Sequence, residues 1–357
     1  MRVEVITVEN AEKVRVALVG CGYWGPNLAR NFYQLPNADL VACCDLDQQT
    51  LVKMSSLYPQ ARMTTDFEEL CQDEAVDAIA IATPARTHFP LAKKALLNNK
   101  HVLVEKPLTL NTADALELVR LARERDRILM VGHVFQYNPA VRYIKSLIQK
   151  GELGDIYYIY STRVNLGRVQ SDINALWSIA PHDISILLYL LGNVPDWVSA
   201  HGATYLTDGI EDVVFVTLGF PDGVLAHVHA SWLDPSKVRR MTIVGSRQMV
   251  VYDDVADEGK VRLYEKGVYR KGEPAFGEFQ YRVHSGNITI PRLELAEPLR
   301  LECQHFVECI QQRRQPETDG RNGLTVVAIL EAAHESLKRH GEPVPVMLSN
   351  TADFGQA

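Results

Sequence analysis

The sequence predicts an α/β protein in two parts. An N-terminal doubly wound parallel (Rossmann) sheet is expected over residues 1–132, followed over 133–357 by an α+β domain with a large, mostly antiparallel open sheet. Three observations predict this. Between Val14 and Asp45 an apolar run leads into Gly20-Cys21-Gly22-Tyr23-Trp24-Gly25, a helix pattern follows at once, and a second apolar run ends on an acid. That is the first half of a βαβ unit that binds a dinucleotide. From there to Val131 short apolar runs alternate with helical patterns, as a parallel sheet requires. Beyond His133 strand-like runs follow one another with few helices between them, which argues for antiparallel pairing.

Each glycine of the first turn has its own task. Gly20 and Gly22 let backbone approach a pyrophosphate, and Gly25 lets helix and strand pack closely. Pro26 suits the first helical turn, where its missing N–H costs nothing. Asp45 stands where a carboxylate accepts hydrogen bonds from adenosine ribose hydroxyls; it could instead cap the next helix. With Asp45 and Asp47 there and no arginine beside them, a 2'-phosphate is disfavoured, so NAD is expected rather than NADP. A helix to residue 57, a short strand at 62–64, a helix at 67–71 and a buried strand at 76–82 follow. That strand ends in Thr83-Pro84, on the carboxyl edge where such sheets bind ligands, so Thr83, Pro84 and His88 are candidate contacts to the nicotinamide ribose. After a helix at 90–98, the strand at 101–105 runs into Glu105-Lys106-Pro107 on the same edge. A helix at 112–126 and a strand at 128–131 close the domain.

In the second part a helix over 139–149 stops at Gly151. Strands are expected at 156–164, 213–220, 224–232, 239–244, 249–252 and 261–264, with a hairpin turn at Phe220-Pro221-Asp222-Gly223. A helix over 182–191 places His182 at its start and ends at Gly192. Helices over 299–313 and 323–339 follow, the latter stopped by Gly341 and Pro343. Residues 2–8 alternate like an extra strand, and 266–292 read as a long excursion over the sheet.

Composition bounds the partners. An apolar fraction of 46% and a charged fraction of 23% are those of an ordinary globular protein. A net charge of −7 with no long basic run argues against nucleic acid and leaves a small-molecule substrate as the default. Six cysteines without a C-x-x-C pair suit a reducing cytoplasm. No signal peptide and no stretch of ~18 uninterrupted apolar residues appears, so no membrane partner is expected. His227 and His229 share a strand face without a third ligand nearby, which reads as a polar sheet face and not a metal site.

The chemistry falls to two residues. Lys106, at a strand end beside a bound nicotinamide, can hydrogen-bond the reacting oxygen or carry its proton, with Glu105 orienting it. His182, whose residue type ordinarily titrates near neutrality, is the best candidate to accept the carbinol proton, steadied by Asp183. Arg163, Asn165 and Arg168, at the end of the first strand of the second part, could meet an anionic substrate.

Together, Gly20-x-Gly22-x-x-Gly25, ALLNNKHVLVEKPL at 95–108, GHVFQYNPAVRYIKSLIQKGELGDI at 132–156, His182 before a helix and PETDGRNGL at 316–324 resemble the glucose-fructose oxidoreductase and inositol dehydrogenase (Gfo/Idh/MocA) family over nearly the whole chain. The resemblance implies NAD(P)-linked oxidation of a sugar or cyclitol hydroxyl, with the family's lysine at Lys106 and its histidine at His182. It also implies a homodimer or homotetramer formed through the open sheet. Tyr23, Trp24 and Gln136 join the expected cofactor contacts, and Trp177 the substrate side. Many members carry aspartate where this chain has Ser178 and Ser185, so a relay through the first aspartate is absent here. Within the family, NALWSIAPHDISILLYLLGNVP at 174–195 resembles members that oxidise the 3-hydroxyl of UDP-N-acetylglucosamine. The alternatives are a dehydrogenase of a free sugar or cyclitol, a 3-keto-sugar reductase, and a non-catalytic NAD-binding sensor or subunit.

Overall fold

The computed structural model describes residues 12–270, 281–294 and 296–348. The expected strand over residues 2–8 lies outside the described residues. The chain divides into two compact units: residues to Gly132 together with Glu297–Leu324, and His133–Ala296 together with the residues from Thr325 on.

The first unit alternates strand and helix: β1 (Val14–Val19), α1 (Gly25–Gln34), β2 (Ala38–Cys44), α2 (Gln48–Leu57), β3 (Arg62–Thr64), α3 (Phe67–Gln72), β4 (Ala78–Ile81), α4 (His88–Leu97), β5 (His101–Glu105), α5 (Thr112–Glu124) and β6 (Leu129–Gly132). All pairings in its sheet are parallel, in the order β3-β2-β1-β4-β5-β6. The central strands are continuous apolar runs because both faces are covered: Val16, Leu18, Ile79, Ile81, Val102 and Val104 are fully buried. Asp47, Asp66 and Asn111 cap α2, α3 and α5 by accepting backbone N–H groups.

The second unit holds α6 (Pro139–Gln149), β7 (Ile156–Val164), α7 (Ala175–Leu191), β8 (Trp197–Ala203), β9 (Val213–Gly219), β10 (Leu225–Ser231), β11 (Val238–Gly245), β12 (Met249–Asp253), β13 (Val261–Arg270) and β14 (Tyr281–Thr289). Then come α8 (Pro298–Gln312), α9 (Gly320–Lys338) and β15 (Val344–Pro345). The large sheet runs β14-β13-β12-β11-β7-β10-β9-β8-β15. Its pairs are antiparallel except β7 with β10. The 220–223 turn joins β9 to β10 with Asp222 and Gly223 both at positive φ (63° and 78°). Helix α8 belongs to the first unit, where its Phe306 meets Phe32 of α1 edge to face at 6.3 Å.

Three expectations are corrected. Within the expected excursion over 266–292, residues 266–270 and 281–289 belong instead to β13 and β14, which pair with each other at the sheet edge; residues 271–280 lie outside the described residues. Glycine there reads as a breaker, yet a Cβ at Gly267 would stand 2.4 Å from the Ser246 carbonyl oxygen, so the missing side chain admits backbone. Strand β8 escaped the sequence reading, although Val198 and Ala200 alternate inward. Helix α7 starts at Ala175, not at His182: the Asn174 side chain accepts the Trp177 N–H at 3.1 Å, and Pro181 is carried inside the helix. The proline deletes one helical bond and leaves the helix intact because its neighbours are buried. Among the described residues no helix is long and apolar enough to cross a membrane, and all six cysteines are free and buried.

Candidate active site

The glycine turn after β1 is built by steric necessity. Gly20 sits at φ +91°, and a Cβ there would lie 2.7 Å from the Ala82 carbonyl carbon. At Gly25 a Cβ would come within 2.0 Å of the Gly20 oxygen, whereas one at Gly22 would meet nothing within 4 Å. The turn is thus pinned on two sides and open on the third. Helix α1 starts with no side-chain cap at Trp24 and no acid in its first turn, so its N–H groups and positive dipole end suit an anion. Tyr23 is 82% exposed, and Trp24 keeps its indole nitrogen inside.

Asp45, at the end of β2, accepts the Cys21 N–H at 2.7 Å and the Asp47 N–H at 2.9 Å. The helix cap is Asp47, which accepts the Gln49 N–H at 3.0 Å. Of the two readings of Asp45, capping is therefore eliminated. These residues fit a dinucleotide: an uncapped helix N-terminus for the pyrophosphate, and an acid beside the turn at the strand edge for a ribose.

The ends of β4 and β5 are tied together. His88 is 1% exposed; its Nδ1 lies 2.7 Å from the Pro107 oxygen and its Nε2 2.9 Å from the Thr83 oxygen. Burial pushes its pKa down, and the Lys106 charge adds to this. The ring expected to meet a ribose is turned inward and straps the Glu-Lys-Pro turn to the end of β4. Thr83 also accepts the Thr87 hydroxyl at 2.7 Å, and Pro84 follows it as the cap of a short 3₁₀ turn. Glu105 accepts the Lys106 N–H at 3.3 Å, and its carboxyl lies so close to β6 that a Cβ on Gly132 would stand 3.1 Å away. Burial raises the Glu105 pKa to about 7 against the opposing pull of Lys106. A group that titrates near neutrality thus adjoins Lys106.

In the second unit α7 carries His182 half-buried, 5.1 Å from the Phe135 ring and edge-on to it. Ser185 donates its hydroxyl to the His182 carbonyl at 2.8 Å, while its own carbonyl accepts the Gln136 amide at 3.3 Å. Trp177 is 7% exposed. Asp183 does not turn toward His182. It is 2% exposed and accepts Arg163 Nε and the Ser161 hydroxyl, with the Phe135 ring 4.4 Å from the guanidinium. Successive helix residues point about 100° apart, so with His182 on one side Asp183 faces β7. Arg163 and Asp183, both expected at the substrate, are a buried ion pair instead. Asn165 donates its backbone N–H to Ser231 at 3.3 Å, extending the β7 edge, and Arg168 is exposed. His227 and His229 share a sheet face on which the Phe215 ring stacks 4.5 Å from His229. Among the described residues no group of three metal-ligating side chains exists.

Sequence reading missed Glu302 on α8. It is 0% exposed, and neither carboxyl oxygen has a hydrogen-bond partner. The signal was available: Glu302 falls three residues after Leu299 and four before Phe306, on the apolar face of its helix.

The parallel sheet, the glycine turn with its uncapped helix and the acid at the end of β2 define an NAD-binding Rossmann oxidoreductase. Family profiles agree in both units. Residues 14–133 match the Gfo/Idh/MocA oxidoreductase family, NAD-binding Rossmann fold, and residues 141–251 match its C-terminal domain. The chain belongs to the Gfo/Idh/MocA family. It is 34% identical to the UDP-N-acetylglucosamine 3-dehydrogenase of Acidithiobacillus ferrooxidans over 319 residues, covering 88% of this chain and 94% of that one. With the scyllo-inositol 2-dehydrogenase (NAD(+)) of Bacillus subtilis it shares 28% over 344 residues, 93% of this chain and 96% of the other. Among solved structures, the WlbA dehydrogenase from Bordetella pertussis in complex with NADH and UDP-GlcNAcA has the same fold, with a TM-score of 0.77 at 24% identity, covering 95% and 100% of the two chains.

Proposed function

We propose that the protein oxidises a ring hydroxyl of a nucleotide sugar, the 3-hydroxyl of UDP-N-acetylglucosamine, with NAD as acceptor. The observation that carries this reading is the 34% identity over 94% of a UDP-N-acetylglucosamine 3-dehydrogenase. The Gly20–Gly25 turn, the uncapped start of α1 and Asp45 would hold NAD, which when bound would supply the acceptor for the carbinol hydride. The hydroxyl proton passes to protein, leaving a ketone, NADH and one proton.

Two residues are the candidates for handling that proton. Lys106 stands at the end of β5, after the half-buried Glu105, where its ammonium can hydrogen-bond the sugar oxygen as the carbonyl forms. His182 offers an imidazole as base, held in helix α7 against Phe135. Ser178 and Ser185 stand where many family members carry aspartate, so the proposed base works without a relay through those two positions. Asn165, Arg168 and Trp177 complete the proposed substrate side.

The 28% identity to an inositol dehydrogenase favours a second reading, oxidation of a free cyclitol. Formation of reduced nicotinamide, followed by absorbance with UDP-sugars and free cyclitols in parallel, tests both. Turnover of UDP-N-acetylglucosamine is expected. Turnover of a cyclitol alone would favour the second reading, and tight NAD binding without turnover would point to a sensor.

The open sheet carries Tyr158, Tyr160, Phe215 and Leu225 on one face, each more than 40% exposed. A second copy of the chain is the proposed cover, giving a homodimer or homotetramer that sedimentation would reveal.

A further inference from the structure

Helix α7 lacks one backbone rung just before His182, because Pro181 has no N–H to donate. The 3₁₀ turn Val134–Tyr137 supplies two ties to the helix at this point. Gln136 donates its side-chain amide to the Ser185 carbonyl at 3.3 Å, and its own backbone carbonyl accepts Arg142 Nε at 3.1 Å, which anchors the turn to α6. The other tie is Phe135, whose half-buried ring lies 5.1 Å from the His182 imidazole with 72° between the planes. That is a preferred arrangement of two aromatic rings, in which the positive edge of one meets the negative face of the other.

Phe135 is itself held. The Arg163 guanidinium lies over its ring, 4.4 Å from the centroid, a cation on an electron-rich face. Arg163 is fixed in turn, since Asp183 accepts its Nε and, at 3.3 Å, its terminal nitrogen, while the Ser161 hydroxyl donates to the same carboxylate. Asp183 follows His182 in the chain, so the contacts close on themselves: from Asp183 to Arg163, to the Phe135 ring, and back to the imidazole one residue earlier. All four side chains belong to the second unit. Asp183 faces away from His182, and the arginine and the ring link the two.

We propose that Phe135 is a positioning residue for His182: its ring, fixed by the Arg163–Asp183 pair, holds the imidazole in the orientation from which it accepts the hydroxyl proton. An imidazole held in advance need not be ordered during the reaction, which is how a side chain that never meets the substrate raises turnover. The inference rests on the proposal that His182 is the base.

Two measurements test it. Nuclear magnetic resonance of histidine-labelled protein, without cofactor or sugar, reads the imidazole directly, its signal assigned by its loss in His182→Ala. Phe135→Leu should move that signal and Phe135→Tyr should leave it near the wild-type position. Arg163→Lys keeps the charge beside Asp183 but not the planar guanidinium over the ring, so it should move the signal as well. A His182 signal indifferent to these changes overturns the proposal, and should Phe135→Leu not fold, Arg163→Lys decides alone. The second measurement is kinetic. Phe135→Leu should lower kcat at least about tenfold with the KM for NAD unchanged, and Phe135→Tyr should recover most of the loss. In a His182→Ala background Phe135→Leu should cost little more; a further tenfold loss there means that the ring does not act through His182, and the proposal fails. Full activity in His182→Ala would instead remove the base itself, a failure of the underlying reading that leaves the resonance result standing.

Discussion

Replacing Asp183 by Asn should destabilise the second unit severely. The Arg163 guanidinium is 6% exposed, and its counter-charge is Asp183, at 2% exposure. Asparagine keeps the shape and removes the charge, leaving a buried cation with an amide that can match only part of the lost bonding. Breaking one side of a buried pair costs about 3–5 kcal/mol. For a unit of this size each kcal/mol moves the melting temperature by about 2–4 °C, so Asp183→Asn should melt roughly 10 °C below wild type. Differential scanning calorimetry measures this directly. The double variant Arg163→Met with Asp183→Leu removes both charges and fills similar volume, so it should recover most of the loss. A single variant that melts within about 2 °C of wild type would refute the reasoning. So would a double variant that loses the sum of the two singles, because then the ion pair is not what holds this region.

Other outcomes follow from the same geometry. His101 accepts the Ile128 N–H at 3.0 Å, and burial pushes its pKa down to about 4. The unfolded chain therefore binds the proton first, and stability should fall as pH drops from about 6.5 to about 4, by up to about 3 kcal/mol; His101→Gln should flatten that part of a stability-against-pH curve. Gly25→Ala drives a methyl toward the Gly20 oxygen at 2.0 Å, so NADH affinity measured by fluorescence should fall at least about tenfold. Lys106→Met should lower kcat/KM by about 10²–10⁴ while NADH still binds. His182→Ala should remove the neutral-range step from the pH profile of turnover; an unchanged profile would remove His182 from the mechanism.

The first unit was legible in the chain because its signals are local. A glycine turn, an uncapped helix start and an acid at the next strand end lie within about thirty residues, and a parallel sheet declares itself by apolar continuity. The end of β5 at Glu105-Lys106 was visible for the same reason. The second unit was harder to read. His182 was read as a helix start and lies in a helix interior, because Asn174 caps the helix upstream. Gly267 resembled a breaker and was a site of close backbone approach.

Side-chain roles that depend on a distant partner could not be read from spacing at all. Arg163 and Asp183 looked like polar groups near a strand end and a helix; packing β7 against α7 made them each other's counter-ion. His88 looked like a ligand contact until the strand ends on either side of it turned its ring inward. Glu302 showed only as a polar residue on an apolar face, and its complete burial is a property of the packing around α8. The sequence by itself determined the dinucleotide turn, the parallel sheet and the residue types available for proton transfer, since hydrophobic period and backbone freedom act over a few residues. Only the tertiary structure decided which charges are satisfied internally, because desolvation and pairing are properties of the packed surroundings.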